Sequence, residues 1–331
     1  MVSLVTLGDP ATLTGGYLYH QRIAALAPRF GVRVRFVPVP AAPFPLPIAA
    51  GPWVLRRLAR QHPDVVLLDS IAAGYVAPWL PARRPRTPVV AILHQPPGGI
   101  DHASVRTTTQ AVLDRWAYRA TPRLLAASAA LADELEAGGL PRARLSVVPP
   151  GRDVAPSPGP SPGDLRRGRR SALLSVGNWV ARKGLLDLLE AVGRLPDDAG
   201  TLHLVGDPDA EPGYAARVRD RLARPDLSGR VVVHGPLPVE GVAALYAAAD
   251  AFALASSREP YGTVYGEAMA FGLPVVGYAA GNLPHLARDG EEGLVVPPGD
   301  VPALATALRR LADDPELRAR LGAAAARRAA S

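Results

Sequence analysis

Two glutamates sit in the run Glu259-Pro-Tyr-Gly-Thr-Val-Tyr-Gly-Glu267, which continues as Ala-Met-Ala-Phe-Gly-Leu-Pro-Val-Val. Ionised carboxylates only accept hydrogen bonds, so a pair of them suits a ligand rich in hydroxyl donors, such as a ribose or a hexose ring. The surrounding pattern predicts a short buried strand over 251–255, a polar loop over 256–261 and a helix from Gly262 and Thr263 to Gly272, then a strand over 275–278. Glu259 then lies in the loop at a strand's C-terminal end, and Glu267 about one turn into the helix that follows. Ligands of open α/β sheets bind in that crevice. The backbone N–H groups of Tyr261, Gly262 and Thr263, at the helix start, favour anionic or hydroxyl-rich groups there. The same glutamates also read as solvated charges favoured by the helix dipole.

A cation with a matching position is Lys183, the only lysine among 37 basic residues. It stands just before a helix expected over 185–195, after a strand over 172–176 and a loop over 177–184. A compact ammonium at a helix start is consistent with a point charge fitted against a phosphate, and Arg182 beside it can add a second positive charge. One lysine that escaped an arginine-biased composition is the plainer alternative. His94 directly follows an apolar run over 89–93 and so points into the crevice at a strand's C-terminal edge, as a ligand contact or as a satisfied structural histidine. Near the N-terminus a strand over 2–7 leads into a loop that ends at Gly15-Gly16 before a helix over 17–30. Glycines there let a ligand approach the backbone, or simply make a tight turn; the dinucleotide pattern G-x-G-x-x-G is absent.

The elements that must position these groups alternate strand and helix. Further strands are expected over 32–39, 65–68, 124–127, 145–148, 201–205 and 231–233, and further helices over 109–119 and 129–136. A chain of 331 residues with 48% hydrophobic content suits two globular domains. Residues 155–163 carry four Pro, two Gly and two Ser and precede Arg166-Arg167-Gly-Arg169-Arg170. That composition marks a linker over 153–169 between domains at 1–152 and 170–331. With no cysteine in the chain, disulfides, thiolate catalysis and zinc–thiolate sites are excluded. The N-terminus reads as a strand with no basic region before it, so no signal peptide is expected.

Residues 36–55 form an uncharged stretch of 20 residues that is nearly long enough to span a bilayer, but its six prolines deny it a helical hydrogen-bond ladder. It reads as a Pro-rich loop, packed on its own domain or resting on an apolar acceptor or membrane surface. The net charge of +7 is uneven. Residues 1–150 hold 16 Arg against 8 acidic residues, whereas residues 151–331 hold 21 basic against 22 acidic. A basic N-terminal half can meet anionic lipid or a phosphorylated acceptor. No DNA- or RNA-binding motif and no aromatic-interleaved basic stripe accompanies it, so nucleic acid is not an expected partner.

Several motifs in fixed order resemble the retaining GT-B glycosyltransferases of family GT4. They are Val-Gly-Asn with Arg-Lys-Gly184, Leu-Val-Gly-Asp207, Tyr246-Ala-Ala-Ala-Asp250-Ala-Phe-Ala-Leu, Glu259-x7-Glu267, and Gly290 with Gly293-Leu-Val-Val-Pro-Pro-Gly-Asp300. The likeness runs from about residue 173 to about 330; the N-terminal half carries it more weakly through Gly15-Gly16, His94 and Val147-Val-Pro-Pro-Gly151. It implies an α/β GT-B fold, two Rossmann-like domains whose parallel sheets face across a cleft. It also implies transfer of a hexose, with retention, from a nucleoside diphosphate sugar to a hydroxyl of a lipid, glycan or small molecule. No metal and no cofactor beyond the donor substrate is expected, and the location is cytoplasmic or peripheral at the inner membrane face. By the same resemblance Lys183, Arg182 and the Gly15-Gly16 backbone hold the diphosphate and Glu267 takes the ribose. Glu259, with the backbone at Tyr261, Gly262 and Thr263, holds the hexose, assisted by His94. Gly206 and His234 follow strands on the nucleotide side, where the family holds the base.

Four departures stand against the pattern. Asn178 occupies the place where the family often has Arg, and Pro150 replaces Asn. Gly281-Asn282-Leu-Pro284-His285 replaces Gly-Gly-x-Pro-Glu, leaving the donor open. The chain ends at Ser331, before the C-terminal helix that crosses back in the family, so a shortened protein with looser coupling is expected. Asp207-Pro-Asp209 imitates a D-x-D metal motif but reads as a turn after a strand. Asp101-His102 lies in a Gly-rich loop that could line an acceptor pocket. The alternatives are a sugar-nucleotide epimerase on the same fold and a non-catalytic nucleotide-sugar binding protein.

Overall fold

The computed structural model describes residues 1–11, 15–80, 87–99, 104–152, 154, 156 and 162–331. Asp101 and His102 lie outside them. The chain divides into two compact units, Met1–Pro150 and Gly151–Ser331.

In the first unit the strands are β1 (Val2–Leu7), β2 (Val34–Val39), β3 (Val65–Asp69), β4 (Val89–Leu93), β5 (Arg123–Ala126) and β6 (Leu145–Val147). They form one parallel sheet in the order β2-β1-β3-β4-β5-β6. The second unit has β7 (Ser171–Val176), β8 (Gly200–Val205), β9 (Val231–Gly235), β10 (Ala251–Leu254), β11 (Val275–Tyr278) and β12 (Gly293–Val296). Their order is β12-β11-β10-β7-β8-β9, again all parallel. In each sheet the chain runs out one way from its first strand and then returns to that strand's other side. The topological switch points fall between β1 and β3 and between β7 and β10, where open α/β sheets bind ligands.

The central strands of the second sheet, β7, β8, β10 and β11, are buried on both faces, which favours apolar runs over alternation. Side chains alternate between two cores. Leu173, Ala251, Ala253 and Val276 join one, and Ala172, Leu174, Phe252, Leu254 and Val275 the other. The described residues of 151–169 group with this unit, and Val154 and Leu165 are buried in its second core.

The strand expected over 32–39 does end at Val39, but beyond it the Pro-rich stretch differs from the expected loop. Strand β2 continues to Val39, a short 3-10 helix covers Leu46–Ala50 and an α-helix starts at Gly51. Two positional rules explain why the prolines are tolerated. Pro38 lies on an edge strand, opposite Thr6, where a missing N–H costs no ladder bond on the outer side. Pro52 falls in the first turn of helix Gly51–Gln61, where the N–H has no intrahelical partner anyway. Among the described residues no helix is long and apolar enough to cross a membrane.

The first helix also starts earlier than its periodicity suggests. It spans Gly15–Leu26, so Gly15 and Gly16 are its opening residues rather than the end of a loop.

Candidate active site

In the second unit the switch point brings Lys183 and Glu259 together across 76 residues of sequence. Lys183 closes a 3-10 turn, Ala181–Lys183, after β7, and Glu259 sits in the loop after β10. Because β7 and β10 are neighbours in the sheet, both loops leave from the same edge. Lys183 Nζ donates to Glu259 Oε2 at 2.5 Å, and Arg182 Nη1 lies 3.7 Å from the same oxygen. Lys183 is 8% exposed and Glu259 7%, so the pair is largely desolvated.

The two loops are stitched through one carbonyl: Arg182 O accepts from Ser256 Oγ and from Ser257 N, each at 2.9 Å. Gly184, in the left-handed region at φ 66°, lets the turn pass the neighbouring strand end. A Cβ there would stand 1.9 Å from Ala255 O, so only glycine fits. Asn282 clamps the other side of the Glu259 loop. Its N–H donates to Glu259 O at 2.9 Å and its Nδ2 to Tyr261 O at 2.8 Å. The loop that departs from Gly-Gly-x-Pro-Glu thus acts here on the backbone that carries Glu259. His285, from the same loop, is exposed.

Gly262 is the N-cap of helix Thr263–Ala270 at φ 73°, so the sharp entry into the helix again needs glycine. Glu267 lies in that helix, buried. Its Oε2 accepts from Tyr246 Oη at 3.2 Å and its Oε1 from Val154 N at 3.3 Å. Burial, and then the carboxylate of Glu267, hold the Tyr246 phenol far above its ordinary pKa, so it stays a donor. A carboxylate can accept about four hydrogen bonds, so these two partners do not by themselves exhaust it. Tyr246 was visible in the sequence only as part of a motif, because its hydroxyl meets Glu267 through the fold and not through spacing.

Gly206 follows β8 at φ 137° and packs so closely on the loop after β7 that a Cβ would lie 2.3 Å from Gly177 O. Asn178, standing where the family often has Arg, accepts from Asp207 N at 3.0 Å and ties that loop to the next. Asp207 Oδ1 accepts from Asp209 N at 2.9 Å, so Asp207-Pro-Asp209 is a side-chain-closed turn, as expected. His234 Nε2 lies 2.9 Å from His203 Nδ1, and His203 Nε2 lies 2.8 Å from Leu165 O. A carbonyl only accepts, so His203 carries its proton on Nε2 and accepts from His234 Nε2–H. Burial lowers the pKa of both rings and keeps them neutral.

In the first unit His94 follows β4 and is 4% exposed. Its Nε2 meets His20 Nε2, on helix Gly15–Leu26, at 2.6 Å. His20 Nδ1 faces Asp69 Oδ2, at the end of β3, at 3.8 Å. Asp69 Oδ2 accepts from Thr6 Oγ1 at 3.0 Å, and its Oδ1 from Ile71 N at 3.2 Å and Ser70 Oγ at 3.3 Å. Burial pushes the Asp69 carboxyl up to about 7 and His20 down to about 4, with His94 well below its ordinary value. Ligand atoms of the three residues lie within 4.8 Å of one another, a spacing a metal can use. Two nitrogens on one tetrahedral ion, each bound at 2.0–2.1 Å, stand roughly 3.3 Å apart, so the 2.6 Å contact is a hydrogen bond. His20 and Asp69 escaped sequence reasoning; the only signal was an i+4 histidine after Gly15-Gly16. Gly16 lies on the same helix, and a Cβ on it would touch the His94 ring at 3.7 Å.

Two six-stranded parallel sheets, each with its own switch point, fit the GT-B class of glycosyltransferases. The family profile described as "Glycosyl transferases group 1" matches residues 164–328, and "Glycosyltransferase Family 4" matches residues 2–155. A D-inositol 3-phosphate glycosyltransferase of Xylanimonas cellulosilytica is 32% identical over 90% of this chain and 78% of its own. The lipopolysaccharide core biosynthesis glycosyltransferase LpsE of Rhizobium meliloti is 37% identical, over 45% of this chain, which spans only 42% of that protein's length. Among solved structures, sucrose-phosphate synthase of Thermosynechococcus elongatus superposes with a TM-score of 0.80 at 20% identity, over 100% of this chain and 94% of that one. Anabaena HepE in complex with UDP gives 0.78 at 22%, over 100% and 95%. The chain belongs to glycosyltransferase family 4.

Proposed function

We propose that this protein moves a hexose from a nucleoside diphosphate sugar to an acceptor hydroxyl, with retention at the anomeric carbon and without a metal. The observation that carries this reading is the buried Lys183–Glu259 pair at the β7–β10 switch point, with Arg182 alongside. A departing diphosphate needs fixed positive charge where negative charge develops, and a desolvated ammonium at a loop edge supplies it without reorganisation. Glu259 holds that ammonium and presents an acceptor to sugar hydroxyls. Glu267 is assigned to the ribose hydroxyls, with the backbone at Tyr261, Gly262 and Thr263 toward the hexose and Gly206 and His234 toward the base. On the family resemblance the Gly15-Gly16 backbone is assigned to the diphosphate and His94 to the donor sugar. No side chain is assigned as a covalent nucleophile; Glu259 positions.

HepE has been solved with UDP and with UDP-glucose, so uridine donors lead the set to test. The excess of arginine over residues 1–150 suits an anionic acceptor. D-inositol 3-phosphate, named in the relatives, heads that panel. Incubation with radiolabelled UDP-glucose, ADP-glucose or GDP-mannose and this acceptor should yield a labelled α-linked product; binding without release of nucleotide over the whole panel sinks the reading.

Glu267→Ala is expected to weaken binding of the nucleotide by about 1–3 kcal/mol, because buried donors lose their acceptor. Calorimetry with UDP checks it, and an unchanged affinity removes Glu267 from the ribose.

A further inference from the structure

The His20–Asp69–His94 cluster joins three elements of the first unit, and sequence spacing places none of the three together. Helix Gly15–Leu26 contributes His20, the end of β3 contributes Asp69, and the residue after β4 is His94. They meet because β3 lies between β1 and β4 in the sheet. Their contacts make a chain: Thr6, Ser70 and Ile71 hold Asp69, Asp69 faces His20 Nδ1, and His20 Nε2 meets His94 Nε2. Ser70 Oγ also accepts from His94 N at 3.2 Å, tying the backbone of His94 to the same turn. Tyr19 packs its ring edge-on against His94 at 5.1 Å.

A neutral imidazole has one N–H and one lone pair. Of two neutral rings joined Nε2 to Nε2, one donates and the other accepts. His20 Nδ1 makes no hydrogen bond among the described residues and looks toward an acceptor-rich carboxyl. A proton on His20 Nδ1 is therefore the favoured arrangement, which leaves His20 Nε2 to accept from His94 Nε2–H. His94 then keeps its lone pair on Nδ1.

We propose that His20 and Asp69 are positioning residues that hold the His94 ring and fix which of its nitrogens carries the proton. The catalytic consequence rests on the reading of His94 as a donor-sugar contact: with the proton on Nε2, Nδ1 accepts from a sugar hydroxyl instead of donating to it. The groups around the cluster agree with an uncharged histidine pair. Tyr17 and Tyr19 on the same helix, Thr6 on β1 and Ser70 after β3 are all neutral. Among the described residues Asp69 is the carboxyl in contact, with Asp9 and Asp114 near through Tyr17 and Tyr118.

The test uses the full chain labelled with 15N-histidine. Long-range 15N–1H correlation spectra should show His94 as a single Nε2–H tautomer in the wild type and a mixture in His20→Leu and in Asp69→Asn. With UDP-glucose as probe, His20→Leu should lower kcat about tenfold or more while donor KM moves less than threefold, and His20→Gln, which keeps a polar atom at the Nε2 position, should recover most of the loss. An unchanged His94 tautomer in both His20→Leu and Asp69→Asn overturns the proposal. The spectra answer whether or not UDP-glucose is turned over, so failure of the reaction reading and failure of this one are separable. If His20→Leu does not fold, His20→Gln and Asp69→Asn carry the same comparison.

Discussion

Lys183→Ala is expected to lower kcat for sugar transfer by about 10²–10³-fold, the cost of removing one preorganised stabiliser of developing negative charge. Donor affinity should fall less, because the charge on the diphosphate bridge grows in the transition state. The same substitution should destabilise the second unit by about 3 kcal/mol, since it leaves the buried Glu259 carboxylate with Arg182 at 3.7 Å as its nearest cation. The lower end of the range for broken buried pairs is used because Arg182 compensates in part. Stability and catalysis separate in the double variant Lys183→Met with Glu259→Gln. Removing both charges should restore most of the denaturation midpoint and none of the turnover. Urea titrations and single-turnover rates on the two variants measure both quantities. A Lys183→Ala enzyme within threefold of wild-type kcat would end the assignment of this lysine to the leaving group.

Asp69→Asn should make the protein more stable, and more so at high pH. The folded carboxyl sits at about 7 against an ordinary 3.8, so between those values the folded state keeps a proton that the unfolded chain has released. Stability from this group is therefore greatest below about pH 4, falls as pH rises to about 7, and is flat above. His20 works in the opposite direction. Its folded pKa near 4 lies below the ordinary 6.5, so its contribution grows as pH rises through that window. The two slopes oppose each other up to about pH 6.5. At pH 8 the ionised, buried Asp69 costs up to about 4 kcal/mol, and an asparagine keeps an oxygen for Ile71 N and Ser70 Oγ without the charge. The stabilisation should be roughly 2–3 kcal/mol larger at pH 8 than at pH 5. Equal stabilisation at the two pH values would mean that the carboxyl is ionised at no cost. Under the proposed role in positioning His94, that cost would be a stability–activity trade-off.

Much of this protein was legible in its residues. Strands β1, β4 and β11 have the bounds that their apolar runs predict, and the ordered motifs from residue 173 onward are enough to place the chain in its family. Local chemistry explains this: a buried parallel strand must be apolar, a helix start after a strand needs glycine or a capping residue, and both are written in adjacent positions. The prolines after Val39 misled because tolerance of proline depends on place, a rule Pro38 also obeys inside the expected strand. Pro38 is harmless only because β2 is an edge strand, and Pro52 only because it opens a helix.

What the tertiary structure alone decided is which distant groups touch. Lys183 reaches Glu259 because β10 returns beside β7, and His20, Asp69 and His94 converge because β3 is inserted between β1 and β4. Strand order is a property of the whole sheet and leaves no mark at the residues it joins. The physical reason is that period and composition encode what a segment buries, whereas hydrogen bonds between side chains depend on which segment lies next to it. The amino-acid sequence thus determined the elements, the family and the list of chemical groups. Packing decided that one lysine serves a buried glutamate and that a histidine expected to meet ligand leans first on another histidine.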